Sequence, residues 1–317
     1  MRPDAFKRAA AAARSGLRRY PRHVWQSLRD AASPPLPTPE ALAQIRSAVG
    51  DLAPLMVGDA ISAVWLGHAT VLLRLGGLNI LTDPVFSHRI GVSIGRHTVG
   101  VSRMTPPPLD VSHLPPIDLL LISHAHFDHL DRPSLRRLVD PRTTVITARQ
   151  TAGLIPKGFR DVVELDWDAA IPFGPLTVTA WKPAHWGARR AVDRARGYNS
   201  YVISCDPRSP TPNYSVLFAG DTAHTEALSG TRPIDLAIFG IGAYDPWDHA
   251  HATPEQVWDM FRRVARDETA RLLPIHHSTF ELSDEHPDEP MRRLLAAAGD
   301  AAHAITCHTP GAVWGAA

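Results

Sequence analysis

Four short apolar runs in this chain each stop at a residue with metal-binding chemistry. IDLLLIS (117–123) runs into His124, LTVTAW (176–181) leads through KPA to His185, SVLFAG (215–220) runs into Asp221, and RLLPI (271–275) into His276. Runs of this length and composition, bounded by Gly, Pro and Asp, read as buried strands. Ligand sites of α/β proteins favour the carboxyl edge of a sheet. The chain is therefore constrained to a sheet-rich fold in which those four ends can meet.

Further short β-rich runs fill residues 61–82 (ISAVWL, TVLLRL, LNILT), with TTVIT, SYVIS and DLAIF later. Helical patterns are few: 133–139, 254–265 and 290–298, each with a proline near its first turn. Many strands with few helices predict sheets packed on each other with helices outside. Residues 1–32 read as helix broken at Pro21, PPLPTP (34–39) as a stiff connector, and 40–49 as a short helix. The expected organisation is a helical N-terminal extension and linker over 1–60 and one α/β domain over 61–317.

With 317 residues and 44% hydrophobic content, the chain suffices for one large domain. A net charge of +1 gives no field that would recruit nucleic acid. No apolar run approaches the ~20 residues that span a bilayer. The basic, Ala-rich start lacks the apolar core of a secretory signal, which points to a cytoplasmic protein. Segment 1–38 has two readings: it packs on the domain, or it rests on an anionic membrane surface through its arginines, Trp25 and Leu28. Cys205 and Cys307 do not suggest a disulfide framework.

HAHFDH (124–129) is the densest polar cluster. Histidines two apart at a strand end can face the same side, and Asp128 and His129 then turn back toward them. Burying three imidazoles and a carboxylate unpaired would cost several kcal/mol. Imidazole and carboxylate together suit a borderline divalent ion such as zinc. Consecutive Asp128 and His129 cannot easily share one ion with both His124 and His126, so two ions, completed by His185, Asp221 and His276, are the simpler solution. Asp221 can bridge them. His277 is an adjacent alternative to His276, which directly follows the apolar run.

The motifs WLGHAT (65–70), LTDP (81–84), LPPIDLLLISHAHFDHLD (114–131), PAHW (183–186), FAGDT (218–222), IGAYDP (241–246), HATPEQ (251–256) and IHHSTF (275–280) come in one order. In them the chain resembles the metallo-β-lactamase fold superfamily. More narrowly it resembles its N-acylphosphatidylethanolamine phospholipase D group, with the related L-ascorbate-6-phosphate lactonase group sharing part of the pattern. The resemblance spans about residues 61–285. It implies an αββα four-layer sandwich with two divalent metal ions, zinc first, with manganese and iron as alternatives. His124, His126 and His185 would hold one ion, Asp128, His129 and His276 the other, and Asp221 would bridge. It also implies a homo-oligomer. The chain departs from the group in having His277 where a tryptophan is common, and residues 1–60 carry none of its motifs.

The expected chemistry is hydrolysis of a phosphodiester by metal-bound hydroxide, with Asp128 as ligand and orienting carboxylate. No GxSxG nucleophile is present. His251, just before a helix begun by Pro254, is the candidate proton donor or polarising group. Asp83 is the candidate acceptor for a ligand imidazole. His68, Trp186 and Tyr244 are candidates for contact with a phospholipid or small-molecule substrate. A lactonase or sugar-phosphate hydrolase is the alternative reading. A nuclease would want a basic groove, and a retired binding protein would have lost ligands.

Overall fold

The computed structural model describes residues 61–315, apart from 95–96, 191–192, 207, 209–212 and 232, together with Ala43. Expectations for the extension and linker lie outside the described residues, except that Ala43 is helical and exposed.

The described chain opens with β1 (Ser62–Gly67), β2 (Thr70–Leu75) and β3 (Leu78–Thr82), an antiparallel meander. A separate hairpin follows, β4 (Arg89–Ile94) and β5 (His97–Ser102). Next, β6 (Leu119–Ile122), β7 (Thr144–Ala148) and β8 (Asp161–Leu165) extend the first sheet in parallel from β3. The second sheet is built from β9 (Ala170–Phe173), β10 (Leu176–Trp181), β11 (Ser200–Cys205), β12 (Ser215–Phe218), β13 (Leu236–Gly240) and β14 (Arg271–Ile275). Finally β15 (Val313–Gly315) returns to pair with β1 and closes that edge of the first sheet.

Three apolar clusters define four layers. Between the sheets, Trp65, Val71, Leu73, Leu119 and Leu121 of the first face Val178, Tyr201, Phe218, Ile238 and Leu273 of the second. The alternate residues of the first sheet, such as Leu72, Leu120 and Val145, turn outward onto Leu130 and Leu135 of the α1 region (α1, Arg132–Arg137). On the far side, Leu217, Phe239 and Leu272 pack against α2 (Pro254–Val264) and α3 (Glu289–Ala298). This is the αββα arrangement. Each fully buried aliphatic or aromatic side chain contributes roughly 1.5–3 kcal/mol, so the double-faced strands are the main source of cohesion.

Helix α2 shows how sequence sets a boundary near the site. Thr253 caps it, with its side chain accepting from Gln256 N while Gln256 accepts from Thr253 N, and Pro254 occupies the first turn. Val257, Met260, Phe261 and Val264 recur at helical spacing and are buried. The cap fixes where the loop bearing His251 must end.

Strand direction decides where chemistry collects. β1, β3 and β6 run parallel to one another within the first sheet, and β10, β12, β13 and β14 within the second. Their carboxyl ends lead to His68, Asp83 and His124 from one sheet, and to His185, Asp221, residues 241–251 and His276 from the other.

Candidate metal centre

The structure brings all seven proposed ligands together. One group is His124, His126, His185 and Asp221, whose candidate donor atoms all lie within 4.8 Å of one another. In it, His124 Nε2 is 2.7 Å from His126 Nδ1, and His185 Nε2 is 3.4 Å from that same nitrogen. The second group is Asp128, His129 and His276, joined by His68. There His276 Nε2 lies 3.4 Å from Asp128 Oδ2, and His129 Nε2 3.5 Å from it. Asp221 touches both groups. Its Oδ2 is 3.0 Å from His129 Nε2, 3.6 Å from His185 Nε2 and 3.7 Å from His124 Nε2, while Oδ1 is 3.3 Å from His276 Nε2. That is the position a bridging carboxylate needs.

Two backbone features place Asp221 and His276. Gly220 sits at φ +59°, and a Cβ there would meet Ser123 Cβ at 2.8 Å, so only glycine lets the tip of β12 pass the tip of β6. Gly242 lies so close to the His276 carbonyl that a Cβ would come within 2.3 Å of it. The choice between adjacent histidines falls to this geometry. His276 enters the cage, whereas the His277 ring packs tilted against Trp65, 4.6 Å between centroids, and its Nδ1 pairs with Ser278 Oγ.

The surrounding hydrogen bonds assign which imidazole nitrogens face inward. His129 Nδ1 donates to Asp83 Oδ2 at 2.6 Å, His185 Nδ1 donates to Ala250 O at 3.0 Å, and His124 Nδ1 pairs with Ser123 Oγ at 2.9 Å. Each leaves Nε2 for the cage, as metal-bound histidines require. Asp83 is fully buried and also accepts from Ser123 N and Ser123 Oγ.

These residues fit a pair of divalent ions. His129 Nε2, Asp221 Oδ1 and His276 Nε2 are buried without a hydrogen bond, a costly state that cations between them relieve. The electrostatics agree. Burial opposes charge on His129 and His276, yet the Asp221 and Asp128 carboxylates outweigh it, raising His129 well above the usual imidazole range and His276 to about 9. Burial and neighbouring imidazoles hold His124 well below that range, and burial does the same at His185 against the pull of Asp221. The buried carboxylates thus draw positive charge to this cluster, which divalent cations would supply.

A cavity of about 460 Å³ opens onto this cluster, with His126, Asp128, Asp221, His251 and His276 among its lining. The rest is largely apolar and comes from the β4–β5 hairpin (Ile90, Val92, Val99, Val101), Phe127, Trp186, Trp247 and Leu282. The hairpin carries a facing Gly91–Gly100 pair, where a Cβ on either would strike the opposite strand's backbone within about 2.2 Å.

His251 lines the cavity with Nδ1 4.0 Å from Asp221 Oδ2, and burial, first, lowers it to about 4. Trp186 is 52% exposed at the cavity and meets the His126 ring edge-on at 4.5 Å. Two expectations need correction. His68 does not line the cavity: it is buried at the end of β1, with Nε2 3.0 Å from Asp128 Oδ2 and its carbonyl accepting from His276 N. Tyr244 turns away, donating through its hydroxyl to Glu289 Oε1 under the Arg293 guanidinium. The WLGHAT turn buries His68 because Trp65 Nε1 and Thr279 Oγ1 fasten its backbone. The hairpin's part in the cavity had no local sequence signal.

Comparison with known proteins agrees with this geometry. Residues 78–277 match the family described as "Beta-lactamase superfamily domain". An uncharacterized protein of Mycobacterium tuberculosis is 32% identical over 293 residues, covering 87% of this chain and 72% of the relative. The N-acyl-phosphatidylethanolamine-hydrolyzing phospholipase D 1 of Caenorhabditis elegans is 30% identical over 254 residues, 73% of this chain and 68% of the relative. Among solved structures, the isothiocyanate hydrolase from Delia radicum gut bacteria shares the fold, with a TM-score of 0.62 at 16% identity, covering 80% of this chain and 100% of that one. A matched family that spans most of the chain, and relatives at this identity, show that the chain belongs to the β-lactamase superfamily and is a metal-dependent hydrolase of the metallo-β-lactamase fold.

Proposed function

We propose that this chain is a dinuclear zinc phosphodiesterase, acting in the manner of a phospholipase D on N-acylphosphatidylethanolamine-like lipids. The observation that carries the reading is a shared-carboxylate pair of ligand groups beneath a largely apolar cavity. The Caenorhabditis elegans relative, whose name gives that activity, supports it. His124, His126 and His185 would hold one ion, Asp128, His129 and His276 the other, with Asp221 between. Ions bound there supply Lewis acidity, acidifying water and polarising a phosphoryl oxygen.

The chain's own residues do the rest. Asp128, steadied through Oδ2 by His68 Nε2, orients a water molecule for in-line attack. His251, on the cavity wall and kept neutral by burial, polarises the leaving oxygen through an N–H hydrogen bond. Trp186, Trp247 and the hairpin valines surround the acyl part of the substrate and exclude bulk water. Among the described residues no helix is long and apolar enough to cross a membrane.

The direct test is metal analysis paired with a substrate panel of N-acylated phospholipid, a chromogenic phosphodiester and a lactone. Release of phosphatidic acid is the expected result, and lactone opening alone would replace this reading with a lactonase. For His251→Ala we expect kcat to drop about a hundredfold or more with metal content per chain retained. Undiminished turnover at saturating metal would remove His251 from the mechanism.

A further inference from the structure

The cavity is acidic at its floor and apolar along much of its wall, yet it contains one permanent cation. Among the described lining residues Arg189 is the only arginine, and no lysine joins it. It stands four residues after His185, and its guanidinium lies over the Phe127 ring, 4.0 Å from the centroid. Phe127 separates His126 from Asp128, so this charge sits at the lip of the ligand loop. Nη1 donates to Ala125 O at 2.8 Å and to Leu130 O at 2.9 Å, clasping both ends of that loop. Both Nη1 protons are thereby used, while Nη2 and Nε make no hydrogen bond among the described residues.

The charge on Arg189 is poorly compensated. Burial, then the nearby Arg132, lower its pKa to about 10, against the pull of the Asp131 carboxylate. It still stays protonated at neutral pH. A half-buried guanidinium with donors to spare, on the wall of a hydrolytic cavity, is suited to a planar two-point contact with an oxyanion.

Building on the phosphodiesterase reading, we infer that Arg189 is the specificity residue for a negatively charged phosphodiester, donating to a non-bridging oxygen of the bound substrate. The cation then discriminates against neutral esters of similar size, which offer it no charge to meet.

The test compares metal-loaded wild type, Arg189→Gln and Arg189→Lys. Substrates are bis(4-nitrophenyl) phosphate, an anion, and 4-nitrophenyl acetate, which is neutral. We expect Arg189→Gln to lower kcat/KM for the anion about tenfold more than for the neutral ester, both rates taken per bound metal ion. Arg189→Lys should recover only part of the preference, because it keeps the charge and loses the planar fork. Equal losses on both substrates, or a loss that tracks departing metal, would reduce Arg189 to a clasp and overturn the inference. Calorimetric titration with inorganic phosphate is independent of turnover: binding about tenfold weaker in Arg189→Gln is expected, and unchanged binding overturns the inference. That titration decides even if wild type cleaves neither ester, an outcome that would instead sink the phosphodiesterase reading. Should Arg189→Gln fail to fold, Arg189→Lys decides by the same titration, since loss of the fork should weaken phosphate binding severalfold, and wild-type affinity would overturn the inference.

Discussion

Replacing Asp221 with alanine should leave a folded chain that retains less than a thousandth of wild-type turnover and has lost at least one bound ion. The carboxylate is 3% exposed and lies between the two ligand groups, close to His129 and His276 on one side and His124 and His185 on the other. Its removal deletes the carboxylate that reaches both groups and leaves histidines facing one another across the gap. Two-ion hydrolysis depends on both ions at fixed separation, so losing the bridge costs far more than one ligand. Asp221→Asn keeps the shape and loses the charge, and should fall nearly as far. Elemental analysis per chain and kcat on the chromogenic diester check both variants, and treating wild type with a chelator should reproduce the loss. An Asp221→Ala protein with two ions and a tenth of normal turnover would contradict the placement of the bridge.

The second large effect is expected at a residue that touches no ion in this scheme. Asp83 is fully buried and accepts from His129 Nδ1 at 2.6 Å, Ser123 N at 2.7 Å and Ser123 Oγ at 2.5 Å. Asp83→Ala strands three donors in a site that water does not reach. Breaking a buried charged network of this kind costs roughly 3–5 kcal/mol. It also frees the His129 ring to rotate, and loss of such a partner weakens metal binding by roughly 10–100-fold. Urea unfolding in chelator isolates the stability loss, and zinc titration of the folded variant reports the affinity. Asp83→Asn retains one acceptor and should recover part of the stability but little of the affinity. If both variants match wild type in zinc affinity, the His129 orientation is set elsewhere.

Much of the scaffold could be read from the chain because its signals are local. TVLLRL, LNILT, LTVTAW and RLLPI form strands over the expected residues: the near-continuous apolar runs have both faces covered by the sandwich, and LTVTAW alternates buried with half-buried positions. The three expected helices appear within a residue or two of their predicted ends because proline and cap residues mark where they start. Convergence of the ligands was legible for the same reason, as each follows a buried strand whose direction fixes the edge it reaches. The misses share a different cause. β8 and β9 form the outer strands of their sheets and alternate weakly between exposed and half-buried positions, so no apolar run announces them. RIGVSI and HTVGVS form a hairpin because Gly91 faces Gly100 across the strands, a pairing invisible to local periodicity. His68 and Tyr244 looked like cavity residues by their motifs. Their positions depend on distant partners, Asp128 and Glu289, which are 60 and 45 residues away. Arg189 had no local cue either, because the carbonyls it clasps lie 64 and 59 residues earlier.

The split origin of the donors has a cellular consequence. Four of the seven proposed ligands follow a strand of one sheet and three follow strands of the other, so cations held there would also rivet the two leaves of the sandwich. Free ion at a hundred times its dissociation constant would add about 2.7 kcal/mol to the folded state per site. An unloaded chain would open along that seam sooner and offer itself to proteases. Cells short of metal should therefore hold fewer copies, not merely idle ones, and pulse-chase half-lives in depleted and replete medium would reveal the difference.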